Sequence, residues 1–156
     1  MRVLAIDPGG HAHAWALFGQ GLLDCGYGDR FPRDVDRLVI EMPRIYPRSR
    51  SKGDPNDLVA LAYAAGMVVG NLGVKTQIVE PRTWKGTVPK EKRWDLYIIH
   101  KRIGLSLTPT ESSIYLKALE QVAPSKRHNI TDAVGIGLWA HGTRFNKTPT
   151  TTGRVP

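Results

Sequence analysis

The order of apolar runs along the chain limits its fold more than any other feature of the sequence. Three short runs at residues 2–6, 13–18 and 22–27 are separated by glycine-rich turns, which predicts an antiparallel meander of three strands. The remaining elements are predicted as strands at residues 38–41 and 74–79 and as helices at residues 54–73, 89–103, 109–122 and 128–141. This order predicts an α/β domain with a five-stranded mixed sheet and helices packed on it.

The ends of two helices carry local signals. Asp54, Asn56 or Asp57 is expected to cap the first helix, and Gly73 to end it, because short polar side chains accept orphan N–H groups and glycine tolerates a left-handed turn. Thr110 is the expected cap of the helix at 109–122.

Length and composition indicate a single domain. A chain of 156 residues with 41% hydrophobic residues can bury its own core, which excludes disorder of the whole chain. We expect the domain to span residues 1–141 and the Thr-, Gly- and Pro-rich segment 142–156 to be a disordered basic tail. The single cysteine, the lack of a signal-peptide pattern and the lack of a run of about 20 apolar residues together favour a cytoplasmic protein without a membrane span.

Positive charge is concentrated in three segments. The formal net charge is +8, yet residues 44–52, 81–102 and 142–156 carry +4, +5 and +3, so that the rest of the chain is negative by 4. Such segregation of charge favours a polyanionic partner. The basic loops would hold this partner, while the rest of the domain is mildly acidic.

Three acids stand at the ends of predicted elements in apolar surroundings. Asp7 ends the first strand, Glu41 ends the fourth, and Asp132 lies near the start of the last helix. Each also has an alternative role that involves no metal. Asp7 would form part of the Asp-Pro-Gly turn, Glu41 would be a charge on an edge strand, and Asp132 would interact with the helix dipole. Together they suit a divalent metal site, because Mg²⁺ prefers carboxylate oxygens combined with phosphate and water.

Five stretches resemble a known family. The segments AIDPGGHAHAWALF, LVIEMP and HNITDAVGIGLW, in this order, are similar to the three catalytic segments of RuvC-type Holliday junction resolvases, which have a ribonuclease H-like fold. The stretch LVALAYAAGMVVG, with its central Gly66, resembles the helix after the second carboxylate of that family. The segment PRTWKGTVPK is most similar to its phage or prophage branch, which implies a bacterial or phage-infected cell. The resemblance covers about residues 1–141.

The resemblance implies a site and an activity. Asp7, Glu41 and Asp132 would be catalytic metal ligands, with His128 or Asn129 completing the site; both lie within one helical turn of Asp132. We favour His128, since imidazole binds metal better than an amide, although a helix cap is its alternative role. Two Mg²⁺ ions, with Mn²⁺ as a substitute, would activate water for attack on a phosphodiester. We expect no small-molecule cofactor.

The family also implies contacts to DNA. Lys85 would act beside the scissile phosphate as a catalytic or substrate-binding cation, unless it is an ordinary solvated lysine. Tyr46 would stack on bases at the strand exchange point. The full set of expected DNA-binding residues is Arg44, Tyr46, Arg48, Arg50, Lys52, Lys85, Lys90, Lys92 and Arg93. Packing is the expected role of Trp84 and Trp94, and His11 and His13 are expected at the surface.

One departure from the family concerns residues 28–37, which are too short for the helix that most resolvases carry there. One face of the sheet would therefore lose cover unless a second copy supplied it. The apolar helix at 57–72 is the candidate interface of a homodimer, or else a buried helix within one chain. The expected function is endonucleolytic resolution of four-way DNA junctions by paired symmetric nicks. A related nuclease for forks, flaps or RNA, and a catalytically silent junction-binding protein, are the alternatives.

Overall fold

Five strands form one mixed sheet in the order β3-β2-β1-β4-β5 in the computed structural model, which describes residues 1–42, 54–86 and 98–143. The strands are β1 (Val3–Asp7), β2 (His13–Phe18), β3 (Leu22–Gly28), β4 (Arg37–Glu41) and β5 (Lys75–Val79). β1 pairs antiparallel with β2, and β2 with β3, whereas β1–β4 and β4–β5 are parallel. The predicted meander and the α/β class with a five-stranded mixed sheet, which the ribonuclease H-like resemblance implied, are confirmed.

Five helices cover the sheet within the described residues. They are α1 (Pro55–Leu72), α2 (Pro81–Lys85), α3 (Ile98–Ser106), α4 (Pro109–Glu120) and α5 (Arg127–Ala140), with a short 3₁₀ turn at Pro124–Lys126 before α5. Helix α2 was not predicted. None of these described helices is long and apolar enough to cross a membrane. The proposed loop at 43–53, the first part of the helix predicted at 89–103 and most of the proposed tail lie outside the described residues, and the domain boundary at 141 stays a prediction.

The two faces of the sheet are covered unequally. On one face, α5 lies against β1 and β2, and buried residues of α3, α4 and α5 join one core with the sheet. On the other face, α1 supplies Ala65 and Val68 to a smaller core with β1 and β4. Residues 29–36 form no helix, as expected from their length, but Phe31 and Val35 of this segment pack against the core on the α1 face. Asp7 and Glu41, at the ends of β1 and β4, lie on the face covered by α5.

Caps define the ends of α1 and α4. Asp54 accepts the N–H of Asn56 at 2.9 Å, and Gly73 ends α1 with φ of 60°, so both predicted ends are confirmed. The prediction of Thr110 as the cap of α4 was wrong. Thr108 is the cap: its backbone is extended and its hydroxyl accepts the N–H of Glu111, while proline at the first helical position needs no N–H partner.

Glu111 ties the start of α4 to the sheet. Its Oε1 accepts the N–H of Leu22 at 2.7 Å, and its Oε2 accepts the N–H and the hydroxyl of Thr108 at 2.8 and 2.7 Å. Burial alone would raise the pKa of Glu111, but these hydrogen bonds outweigh it and hold the pKa below 4.5. A lowered pKa in the folded state means that the ionised form stabilises the fold.

We expect Glu111→Gln to lower the free energy of unfolding at pH 7 by about 1–2 kcal/mol, because one charge-assisted acceptor is lost. The contribution of the carboxylate is present above its unfolded pKa and is lost as the pH falls through the lower folded value. Urea denaturation at pH 7 and pH 3 measures both. Glu120→Gln, at the exposed end of α4, is the control; an equal deficit at both pH values would contradict the role of the charge.

Candidate functional site

Asp7 and Glu41 lie side by side at one edge of the sheet. Their preceding residues Ile6 and Ile40 are register partners in the parallel pair β1–β4, so the carboxyl ends of both strands meet there. Side chains alternate along a strand, and Ala5 and Val39, two residues before each acid, belong to the core under α5. Both acids therefore lie on the face that α5 covers.

Asp132 reaches this edge from α5. It is 7% exposed and lies within an unbroken buried run from Ile130 to Leu138, so the helix carries the acid into the core. Lys85, the last residue of α2, donates from Nζ to Asp132 Oδ2 at 3.1 Å. The structure thus brings together residues that lie 47 positions apart in the sequence.

Lys85 is a cation shared by all three acids. Burial alone would lower its pKa, but the charges of Asp132, Glu41 and Asp7 and the hydrogen bond to Asp132 raise it above its ordinary value. The side chains of Lys85 and Asp132 are only 23% and 10% exposed. Lys85 is therefore part of the acidic cluster and not an ordinary solvated lysine, the alternative considered from the sequence.

Glu41 is held by the indole of Trp84. Trp84 Nε1 donates to Glu41 Oε2 at 2.5 Å, and the indole is fully buried. Burial raises the pKa of Glu41, Lys85 and the indole hydrogen bond lower it, and Asp132 raises it again, with a net increase. The predicted packing role of Trp84 is confirmed by its burial, but the hydrogen bond to Glu41 was not foreseen.

Helix α2 places both Trp84 and Lys85. It begins with Pro81, one residue after β5, and is capped at its end by Gly86, whose φ is 68°. Five residues are too few for an amphipathic period to be visible, which is why the helix was missed. The sequence does carry one signal, since proline at a helix start and glycine just after its end are typical of short helices. On α5, a Cβ at Gly135 would lie 2.4 Å from the Trp84 ring, so glycine there admits the indole.

The donor chemistry of this cluster suits a hard divalent cation. Carboxylate oxygens are the preferred protein ligands of Mg²⁺, and the ammonium of Lys85 shows that a positive charge is accommodated among Asp7, Glu41 and Asp132. Within the part of the chain that the structure describes, no three His, Cys, Asp or Glu side chains are grouped closely enough to hold one ion as they stand. Binding would therefore require the carboxylates to draw together.

His128 and Asn129 lie in the first turn of α5, four and three residues before Asp132, and both are half-buried. At these spacings, either residue can lie on the same face of α5 as Asp132. The choice between them as a metal ligand stays a prediction.

His13 orders the turn that follows Asp7. Its Nδ1 accepts the N–H of Gly9 at 3.2 Å, its ring lies edge-on to Phe31, and burial lowers its pKa. The half-buried ring contradicts the expectation of a surface histidine. Ala14, the next residue, pairs with Asp7, so alternation directs His13 to the opposite face of the sheet. The sequence did carry a signal for this burial, because His13 is the first residue of the otherwise apolar strand β2.

The expected DNA-binding residues fall almost entirely on segments 43–53 and 87–97. Those that lie outside the described residues are Arg44, Tyr46, Arg48, Arg50, Lys52, Lys90, Lys92 and Arg93, as does Trp94. Lys85 is the member of the set that the structure describes, and it lies in the acidic cluster.

Comparisons with known proteins give a likeness in structure but not in sequence. No protein-family model matches the chain, and no curated protein matches it. Among solved structures, RuvC of Thermus thermophilus in complex with a Holliday junction substrate is similar at 12% identity and a TM-score of 0.47, over 88% of this chain and 91% of that one. A second T. thermophilus RuvC structure gives 15% identity and a TM-score of 0.48, over 88% and 92%. Likeness at this level identifies no activity.

Proposed function

We propose that this protein is a metal-dependent endonuclease that resolves four-way DNA junctions by paired symmetric nicks. The observation that carries the proposal is the cluster at the carboxyl ends of β1 and β4, where the ammonium of Lys85 bonds Asp132 at 3.1 Å and the charges of Glu41 and Asp7 act on it as well. A fold has no need of three acids around one buried cation, since apolar residues of similar volume commonly serve stability as well. Such clusters are frequent at functional sites.

Each residue of the cluster has a distinct role in this proposal. Asp7, Glu41 and Asp132, with His128 or Asn129, would hold two Mg²⁺ ions, which Mn²⁺ could replace. When bound, these ions would supply activation of water for in-line attack and stabilisation of the leaving oxygen. Lys85 brings a positive charge to the edge where a phosphodiester would lie, and its ammonium can donate to a phosphate oxygen.

The charge distribution supports a nucleic-acid substrate. An acidic cluster repels phosphate, so binding requires cations elsewhere on the chain. The segments around 44–52 and 81–102 carry those cations, and they adjoin β4 and α2, the elements that contribute Glu41 and Lys85. The segment PRTWKGTVPK further suggests the phage or prophage branch of the resolvases, acting in the cytoplasm of a bacterial or infected cell.

A cleavage assay on defined substrates tests the proposal. The protein is incubated with a synthetic four-way junction, a duplex, a flap, a fork and an RNA/DNA hybrid, each with Mg²⁺ or with EDTA. We expect paired nicks at symmetric positions of the junction, only with Mg²⁺. Preferential cutting of flaps, forks or RNA would instead identify a related nuclease, and junction binding without metal-dependent cutting would identify a silent binding protein.

We further propose that the active form is a homodimer that pairs through α1. A four-way junction presents two equivalent strands, which a twofold protein can cut with two sites. Val59, Tyr63 and Met67, spaced by four residues on α1, are 68, 69 and 46% exposed, so that among the described residues one stripe of the helix is apolar and open. The opposite side of α1 buries Ala65 and Val68 within its own chain, so the alternative of a buried helix holds for that side alone.

Tyr63→Glu is expected to convert the dimer to a monomer, because a charge at the centre of an apolar interface must be desolvated. Sedimentation equilibrium measures the mass, and the junction assay should then show single nicks in place of paired ones. Leu105→Glu, at an apolar α3 residue that is 86% exposed, is the matched control and should leave the mass unchanged. An unaltered dimer in Tyr63→Glu would contradict pairing through α1.

A further inference from the structure

The hydrogen bond between Trp84 and Glu41 assigns a role to a residue that lies outside the catalytic cluster. We propose that Trp84 is a positioning residue: its indole N–H holds Glu41 Oε2 and leaves the other carboxylate oxygen to a divalent cation. This inference rests on the proposed function, since it takes Glu41 to be a metal ligand.

The geometry favours positioning over packing alone. A phenyl ring would fill most of the same buried space, but only an indole supplies an N–H, and a buried indole N–H needs an acceptor. Here the acceptor is the carboxylate of Glu41 at 2.5 Å. Hydrogen bonds to an ionised acceptor are shorter and about twice as strong as neutral ones, so this contact restricts the rotation of the carboxylate.

The indole is itself fixed from several sides. It is fully buried in the core under α5, against Gly135, whose Cβ position is filled by the ring edge. The ammonium of Lys85 lies 4.8 Å from the centre of a Trp84 ring. Gly135 lies one helical turn after Asp132. The same indole therefore contacts both Glu41 on β4 and the part of α5 that carries Asp132. The fixed ring therefore holds the Glu41 carboxylate in one orientation before metal binds.

The first test measures metal affinity without DNA. Trp84→Phe retains a ring and removes the N–H, and titration with MgCl₂ or MnCl₂ followed by calorimetry gives the dissociation constant. We expect affinity to fall by about 10- to 100-fold, the usual effect of removing a group that orients a metal ligand. Trp15→Phe removes an indole N–H on the opposite face of the sheet and is the control, with a change below about twofold. Unchanged affinity in a folded Trp84→Phe protein would overturn the inference.

The second test observes the hydrogen bond itself. Among the four tryptophans, the indole N–H resonance that disappears in Trp84→Phe belongs to Trp84. We expect this resonance to lie downfield in the unaltered protein and to move upfield in Glu41→Gln, where the acceptor is neutral. An assigned Trp84 resonance that does not shift in Glu41→Gln would overturn the inference, whatever the metal affinity of Trp84→Phe. Failure of the unaltered protein to bind either metal would overturn the proposed function instead, while the resonance still reports whether Trp84 holds Glu41.

Discussion

Asp7→Asn is expected to abolish metal-dependent cleavage of a four-way junction while leaving junction binding intact or tighter. The amide keeps the size of the side chain but loses the charge that a divalent cation requires, and metal ions contribute several kcal/mol to catalysis of phosphodiester cleavage. Each 1.36 kcal/mol is a factor of ten in rate, so a loss of at least about 100-fold is expected. Binding should not weaken, because a negative charge beside the phosphates has been removed.

Single-turnover cleavage and gel-shift titration in EDTA measure the two effects separately. Asp29→Asn, at an exposed aspartate after β3, is the matched control and should alter neither. Loss of binding together with cleavage in Asp7→Asn would show that the acid serves the fold or the DNA interface and not the metal. Retained cleavage would remove Asp7 from the proposed site.

Lys85→Met is expected to destabilise the metal-free protein and to strengthen its binding of Mg²⁺. Without divalent ions, Asp7, Glu41 and Asp132 lose the cation that they share, and the free energy of unfolding should fall by about 2 kcal/mol, less than for a fully buried pair because Lys85 is 23% exposed. Added Mg²⁺ should then bind more tightly than to the unaltered protein, since the ammonium no longer occupies the cluster. Junction cleavage should still fall, because the charge beside the phosphate is gone.

Thermal denaturation with and without MgCl₂ measures this exchange of one cation for another. A ligand that binds only the folded state stabilises it in proportion to the logarithm of its concentration over its dissociation constant, so Mg²⁺ should raise the melting temperature of Lys85→Met more than that of the unaltered protein. Lys101→Met, at an exposed position of α3, is the control. Equal stability and equal Mg²⁺ response in the two proteins would show that Lys85 is not the shared cation.

Together, these experiments separate the parts of the candidate site. Asp7→Asn tests a proposed ligand, Lys85→Met tests the resident cation, and Trp84→Phe tests the group that orients Glu41. Because Trp84 bonds to Glu41 and Lys85 bonds to Asp132, the pattern of effects shows which contacts matter for metal affinity and which for cleavage.

Much of the fold followed from local pattern. The glycine-rich turns between short apolar runs predicted the antiparallel meander, and the ends of α1 were predicted from Gly73 and from three candidate caps that included Asp54, because each of these signals acts within a few residues. The cap of α4 was misplaced by two residues, since Thr108 and Thr110 flank the same proline and only backbone geometry distinguishes them. Helix α2 was missed because one turn and a half carries almost no periodic signal.

The sequence alone placed Asp7 and Glu41 at the ends of two strands and Asp132 near the start of a helix, because the ends of such elements are local features. The partners of these acids required the packed structure. Trp84 lies 43 residues from Glu41 and Lys85 lies 47 residues from Asp132, and no local rule relates positions so far apart. Helix α2 packs against α5 and bonds Glu41 of β4, so that an indole N–H meets one carboxylate and an ammonium meets another, since burial leaves these polar groups little solvent to bond with.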